Sequence, residues 1–409
     1  MEEFAGQPLA GDEFKVKPVE HVSFHVVGAR GILFDSANQS LYLLNRVGGF
    51  IWCCLAEDMS AAEIARELIR RSNSDPNSAA ACIRAAIRNW QTLGFLNAMH
   101  EKTVPRAARH PVRRRAAPPA LEGRPANSRA RVCRVLDCDF AVQFWNRALE
   151  EEALPLLRAH LVDSSPGVTA TLEVACGEGG SISIGHGAET MQVLYTSQSL
   201  APAVFASLMK LALVYSPTYP ALHAAAVRTS RGVVLFPGAS GCGKSTLMAG
   251  LLAEGRRVLS DDTAVFERET MRVRPLTPYL CIKSGSWDAL ARRLPELMLQ
   301  PAFVRADDAH VRYLLPDGYS PLTRGDSTTG EEVRTVVFPH YHAGAATRLT
   351  RIAGFLALKE LLPSLDPIGH DLEASDIDRL IGWMARVECY TLSYGSLGDA
   401  MATLSGIVD

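Results

Sequence analysis

The chain is 409 residues long, 47% hydrophobic and 21% charged, with a net charge of −2. It is too long for one ordinary core and too apolar for a disordered chain, so two or three folded domains are expected. The near-neutral balance excludes a global basic field for nucleic acid or an anionic membrane, and neither partner is expected.

The start, Met1-Glu-Glu-Phe4, lacks the basic and apolar segments of a signal peptide. The most apolar stretch, Leu200 to Tyr215, carries Lys210 and reads as too short to span a bilayer. Nine cysteines, scattered singly apart from Cys53-Cys54 and with no C-x-x-C pair, read as reduced and mostly buried in a cytoplasmic protein.

Three regions separate by composition: 15–98, a spacer at 99–131, and 132–409. The first opens with alternating β-prone runs, Val22–Val27, Gly31–Phe34 and Ser40–Leu44, divided by turn signals at Gly28 and Asp35–Asn38, as in a small antiparallel meander. Asn45 then precedes apolar residues at helical spacing, Val47, Phe50, Ile51, Trp52 and Leu55. Ser60-Ala-Ala-Glu63 is a capping box for a second helix, and Asp75-Pro76 starts a third that ends at Gly94.

Gly31-Ile-Leu-Phe-Asp35, Tyr42-Leu-Leu-Asn45, Gly48 with Ile51-Trp52, Ser60–Ile64 and Leu93–Leu96 together resemble the PqqD family of small winged-helix-like domains. The resemblance covers nearly the whole first region. It implies that this region binds the leader segment of a precursor peptide by strand addition, where an exposed edge supplies backbone hydrogen bonds and side-chain pockets. The alternative is a small α+β domain that only packs or dimerises.

The spacer carries Pro105, Pro111, Pro118, Pro119 and Pro125 among Ala and Arg residues and reads as a solvated tether. From Arg131 the pattern turns α/β. Arg134–Val142 reads as a strand, Arg147–Leu161 as a helix, residues 168–196 as short strands with turns around Gly177–Gly180, and Leu200–Tyr215 as a buried helix.

Gly232–Pro237 is a short apolar strand suited to mid-sheet. Directly after it, Gly238-Ala-Ser-Gly-Cys-Gly-Lys-Ser245 fits the phosphate-binding pattern G-x-x-x-x-G-K-[ST], and helical spacing runs from Lys244 to Ala253. Gly238, Gly241 and Gly243 free the backbone of Ser240, Cys242 and their neighbours to wrap a phosphate at a helix amino terminus. Lys244 would bridge the terminal phosphates of ATP, with Ser245 on Mg²⁺ and Thr246 completing the loop. Arg257–Ser260 reads as the next strand, so Asp261 and Asp262 lie at a strand tip only 17 residues beyond Lys244. Alternation along a strand gives the pair different jobs, one at the metal and one accepting a proton from an attacking hydroxyl.

The stretch from Leu222 to Glu267, with His223 one strand before the loop and Arg256-Arg-Val-Leu-Ser-Asp-Asp262 after it, resembles HPr kinase/phosphorylase. The resemblance implies a P-loop domain on a mixed sheet like that of phosphoenolpyruvate carboxykinase, transfer of phosphate to a protein serine, Asp261 as catalytic base with Lys244 and His223, and Asp262 with Ser245 at the metal. A multimer is also implied. The chain departs from the family at Thr246 and Ala239, where the family has acids, and lacks its Glu-Ile-Arg-Gly-Leu-Gly stretch, so it looks more like divergent HPr-kinase-related proteins.

Lys283, ending the apolar run Leu280–Lys283, is a candidate phosphate or substrate contact; Val336–Tyr341 reads as a further strand ending near the site. Arg324 and Arg334 are candidates for neutralising transferred charge. His340 and His342 alternate but have no third ligand nearby, so they are expected to be exposed or hydrogen-bonded. The expected function is a kinase acting on a hydroxyl of a peptide or protein delivered by the first domain. The alternatives are a nucleotide-gated peptide-binding protein without phosphotransfer, or a small-molecule kinase.

Overall fold

The computed structural model describes residues 16–72, 75–98, 128–216, 218–276, 279–316, 330–366 and 371–409. The Pro- and Arg-rich tether and Arg324 lie outside the described residues. The chain divides into two compact units, the first from residues 16–98 with 371–381, the second from 128–366 with 382–409.

In the first unit, β2 (Val22–Val27), β3 (Arg30–Asp35) and β4 (Ser40–Leu44) form an antiparallel meander, while β1 (Val16–Pro18) pairs with the distant β5 (Leu96–Ala98). The short β1–β5 ladder closes the ends of the unit and carries no sequence signal of its own. Three helices follow the meander: α1 (Arg46–Ala56), α2 (Ala61–Ser72) and α3 (Pro76–Thr92). Their starts follow local chemistry. The Asn45 side chain accepts from Gly48 N at 2.7 Å, Ser60 and Glu63 cap each other, and Asp75 accepts from Ser78 N at 2.9 Å. Gly94 ends the third helix with a φ of 75°. Leu33, Ile51, Trp52, Ile64, Ile83 and Phe95 build the core, with Trp52 edge-on to Trp90 at 5.1 Å.

The second unit begins with β6 (Arg129–Val135) and β7 (Cys138–Phe144), then α4 (Arg147–Leu157). The expected single strand at 134–142 is therefore a hairpin: Leu136 takes a φ of 54°, so the chain reverses within it. Pairing of Arg129 with Phe144 also extends strand structure into the residues expected to end the spacer at 131. The helix expected to reach Leu161 passes into a 3₁₀ turn at Arg158–His160, just after Pro155, which removes a helical donor. β8 (Ala170–Cys176), β9 (Ile182–His186) and β10 (Glu189–Leu194) complete a five-stranded sheet ordered β10-β9-β8-β7-β6, against which α5 (Leu200–Tyr215) packs. A 3₁₀ turn at Ser197–Ser199 runs into α5, so the helical stretch Ser197–Tyr215 reaches 19 residues, long and apolar enough by length and composition to cross a membrane, contrary to the shorter sequence reading. Most of it is buried inside the unit, which is why so apolar a helix needs no polar face.

Strands β11 (Thr218–Leu222), β12 (Ala224–Thr229) and β13 (Gly232–Pro237) lead into α6 (Lys244–Ala253), β14 (Arg257–Ser260), β15 (Ala264–Glu267) and β16 (Val273–Pro275). Beyond them come β17 (Leu280–Lys283), the single-turn α7 (Trp287–Leu290) and α8 (Glu296–Leu299), then β18 (Ala302–Val304), β19 (His310–Leu314), β20 (Val333–Tyr341) and β21 (Arg348–Arg351). The chain ends with α9 (Gly354–Leu361), β22 (Leu365–Asp366), α10 (Ala374–Met384), β23 (Glu388–Tyr394) and α11 (Leu397–Val408).

The central six-stranded sheet is ordered β14-β12-β13-β20-β23-β21. β12 runs antiparallel to β13 and β14, while β13, β20 and β23 are parallel. β13 and β14 thus point the same way with β12 between them, and the carboxyl ends of β13, β14, β20 and β23 share one edge. Val234, Phe236, Leu247, Leu251, Val337 and Leu392 cement this sheet to α6 and α11. The expectation of mostly buried cysteines is corrected: all nine are free, but only Cys54, Cys133, Cys138 and Cys389 are buried. Cys53 and Cys82 are exposed because they fall on the outward faces of α1 and α3.

Candidate functional site

The glycine loop springs from the tip of β13 and closes on the amino terminus of α6. Gly238, Gly241 and Gly243 take φ values of 158°, 91° and 95°, and a Cβ on Gly243 would overlap the Tyr394 hydroxyl. Only glycine permits these turns at this approach, so a run of N–H groups curls toward the positive end of the helix dipole. Cys242 donates its N–H to Ala239 O at 3.3 Å, and the Tyr394 hydroxyl donates to Gly243 O at 3.2 Å. Lys244 is buried, its ammonium donating to the carbonyls of Gly238 and Ala239. Thr246 shares a 2.6 Å hydrogen bond with Ser286.

β14 delivers the acidic pair to the same edge. Asp261 is 1% exposed and accepts from Cys281 N at 2.9 Å, whereas its other oxygen, Oδ1, has no hydrogen-bond partner among the described residues. Burial pushes its pKa up to about 7; the charge of Asp262 pushes the same way, while the Cys281 amide, the Ser245 hydroxyl and Lys244 oppose. Asp262 is more than half exposed and faces His223, with Nε2 3.3 Å from its carboxylate. β14 ends at Ser260, so the pair lies in a bend beyond the strand and not in strand alternation, yet one carboxyl is enclosed and the other open. His223 reaches this edge because it stands at the start of the antiparallel β12, its carbonyl accepting from Gly238 N at 3.2 Å.

Lys283, at the end of β17, donates to Ser240 Oγ at 3.0 Å and so meets the loop. The β20 strand ends at the site as expected, with Tyr341 N donating to Cys242 O at 3.3 Å. Arg334 does not reach the site. It lies at the opening of β20, at the far end of the sheet, exposed and paired with Glu332 at 2.8 Å. Among the described residues, the arginine at the site is Arg305, from the turn between β18 and β19; it pairs with Asp307 at 3.1 Å. No local signal marks Arg305, because only the pairing of β19 with β17 brings its turn to Cys281. His340 stands 3.7 Å from Glu360, and no group of three His, Cys, Asp or Glu suited to a metal occurs among the described residues.

The loop, the acidic pair, Lys283 and Arg305 face one cavity of about 820 Å³, lined by Ser240, Gly241, Gly243 and Lys244 of the loop and by Ser245, Thr246, His223, Asp261 and Asp262. It lies wholly within the second unit. An enclosed carboxyl poised near neutrality, a buried lysine and a glycine-rich helix start can together accept a proton beside a bound phosphate.

Comparison with known proteins bears on the first unit. Residues 30–96 match the family described as Coenzyme PQQ synthesis protein D (PqqD), so a PqqD-like domain stands at the amino-terminal end. Among solved structures, TbiB1 in complex with the TbiA(beta) leader peptide is 19% identical, covering 21% of this chain and 99% of that one with a TM-score of 0.20. A lasso peptide synthetase B1 complexed with the leader peptide is 18% identical, covering 20% and 98%, also with a TM-score of 0.20. No curated protein matches the chain.

Proposed function

We propose that this protein is an ATP-dependent, HPr-kinase-like phosphotransferase that phosphorylates a serine hydroxyl of a peptide held by its PqqD-like domain. One observation carries the reading: the glycine loop, Lys244 and a carboxyl with its pKa near 7 converge on one cavity at one sheet edge. The residues suit a nucleoside triphosphate, since the loop glycines adopt turns closed to other residues and leave N–H groups for phosphate oxygens. They also suit magnesium, which keeps waters and phosphate oxygens and needs only one or two protein ligands, here Ser245 and Asp262. Bound there, the metal would neutralise charge on the phosphates.

Lys244 would leave the Gly238 and Ala239 carbonyls for the terminal phosphates. Asp261 Oδ1 would accept the proton of the attacking hydroxyl as the new P–O bond forms and the bond to ADP breaks, the electron pair leaving with ADP. His223 would orient Asp262. In the first unit, β2 and β4 each pair on one side only among the described residues, so either offers an edge for a leader segment. Tethering acceptor and catalyst in one chain would raise the local substrate concentration.

The test is labelled ATP offered with precursor peptides encoded beside the gene, mass spectrometry locating the phosphate. Phosphoserine formed by the wild type, and lost in Asp261→Asn with ATP binding retained, is the expected result. Steady ATP hydrolysis without peptide labelling would overturn it.

A further inference from the structure

The cavity of about 820 Å³ takes in residues of α5 and of β17–β19 well beyond the loop. Along the shared edge the tips run in the order β14, β12, β13, β20, β23. The loop rises from β13, so Tyr341 and Tyr394, at the tips of β20 and β23, lie to one side of it, while Asp261, at the tip of β14, lies to the other. Phosphoryl transfer sets attacking and leaving oxygens roughly in line on opposite sides of phosphorus. With Asp261 as base, the acceptor enters from the β14 side.

On that side the cavity is walled by one stripe of α5. Pro202, Ala206, Met209 and Leu213 recur at intervals of three or four and all face it. Leu276, Tyr279 and Tyr313 line it as well; Tyr313 pairs across the ladder with Cys281, the residue whose amide holds Asp261. Phe205 locks this wall, edge-on to Tyr279 at 5.5 Å and to Tyr313 at 6.1 Å.

Resting on the phosphotransferase reading above, we propose that this chamber between α5 and β17–β19 is the acceptor subsite, and that it selects a peptide with a bulky apolar side chain next to the accepting serine. The α5 stripe with Leu276, Tyr279 and Tyr313 gives the chamber an apolar wall, while Lys210 and Arg305 border the same cavity, so removing an apolar side chain from water against that wall is what it rewards.

Ala206 provides the test, because it is an exposed residue of α5 that faces the cavity, and enlarging it disturbs no core. Ala206→Trp should lower kcat/KM for the peptide by about tenfold or more, with affinity for a non-hydrolysable ATP analogue and melting temperature unchanged. Replacing the apolar neighbour of the serine by glycine should lower wild-type kcat/KM similarly and add little to Ala206→Trp. Unaltered peptide turnover in Ala206→Trp, or an equal loss of nucleotide affinity, would overturn the subsite while leaving the kinase standing. Wild type that labels no peptide at all would remove both.

Discussion

The backbone N–H of Cys281 donates to Asp261 Oδ2 at 2.9 Å, joining the tip of β14 to β17 and holding a carboxyl in a site where burial raises its pKa to about 7. Such a group has a cost that depends on pH. Its folded pKa lies above its unfolded value near 4, so its contribution to stability is present in full below about pH 4 and is lost as pH rises through 7. Asp261→Asn should therefore unfold at a higher temperature than wild type at pH 8, by a few kcal/mol of stability, with the gap closing toward pH 4. Turnover should behave oppositely, rising in the wild type between pH 6 and 8 as Asp261 loses its proton. A gap in stability that does not vary with pH would contradict this.

Gly243→Ala should be severe. The new Cβ would meet the Tyr394 hydroxyl in a backbone conformation that alanine resists, a cost of about 2–4 kcal/mol. Thermal melting should show it, and binding of an ATP analogue should fall with it. Gly285 also borders the cavity but has open space and no positive φ, so Gly285→Ala should be tolerated in both measurements.

His223→Gln should separate function from stability. Its side-chain contact with Asp262 is partly exposed, and such surface contacts contribute less than about 1 kcal/mol. Its backbone bonds to Ser364 and Gly238 do not depend on the side chain. Melting should barely shift, whereas peptide phosphorylation should drop, with a change in its magnesium dependence. A large loss of melting temperature with normal turnover would make His223 structural.

In the first unit, Trp52→Ala removes a 2%-exposed ring stacked edge-on against Trp90, which should cost about 3–5 kcal/mol. Denaturant unfolding followed by tryptophan fluorescence would report it, and leader-peptide affinity should fall as the meander loosens.

The elements that sequence made legible are those specified by neighbours in the chain. Asn45, the Ser60–Glu63 box and Asp75 each satisfy helix-end donors within three residues, so they mark their helices wherever these sit. The strand–loop–helix from Gly232 to Ala253 is local in the same way, since the glycines serve turns within the loop itself. Where the reading failed, the deciding factor was pairing between strands rather than a residue's own chemistry. The β6–β7 hairpin looked like one strand because Leu136 carries no turn chemistry and takes its positive φ from the pairing around it. Arg334 looked as suitable as any arginine until the parallel register of β20 put it at the wrong end of the sheet.

What sequence alone determined is the inventory: a PqqD-like amino-terminal region, a glycine loop before a helix, and two acids at a strand tip 17 residues beyond Lys244. Only tertiary structure could decide which acid is enclosed, because Asp261 is held by the Cys281 amide, brought there by pairing of β17 with β19 far along the chain. A side chain's type is written in the sequence, but its dielectric surroundings are set by what folds over it, and those surroundings separate a surface carboxylate from a base poised at neutral pH.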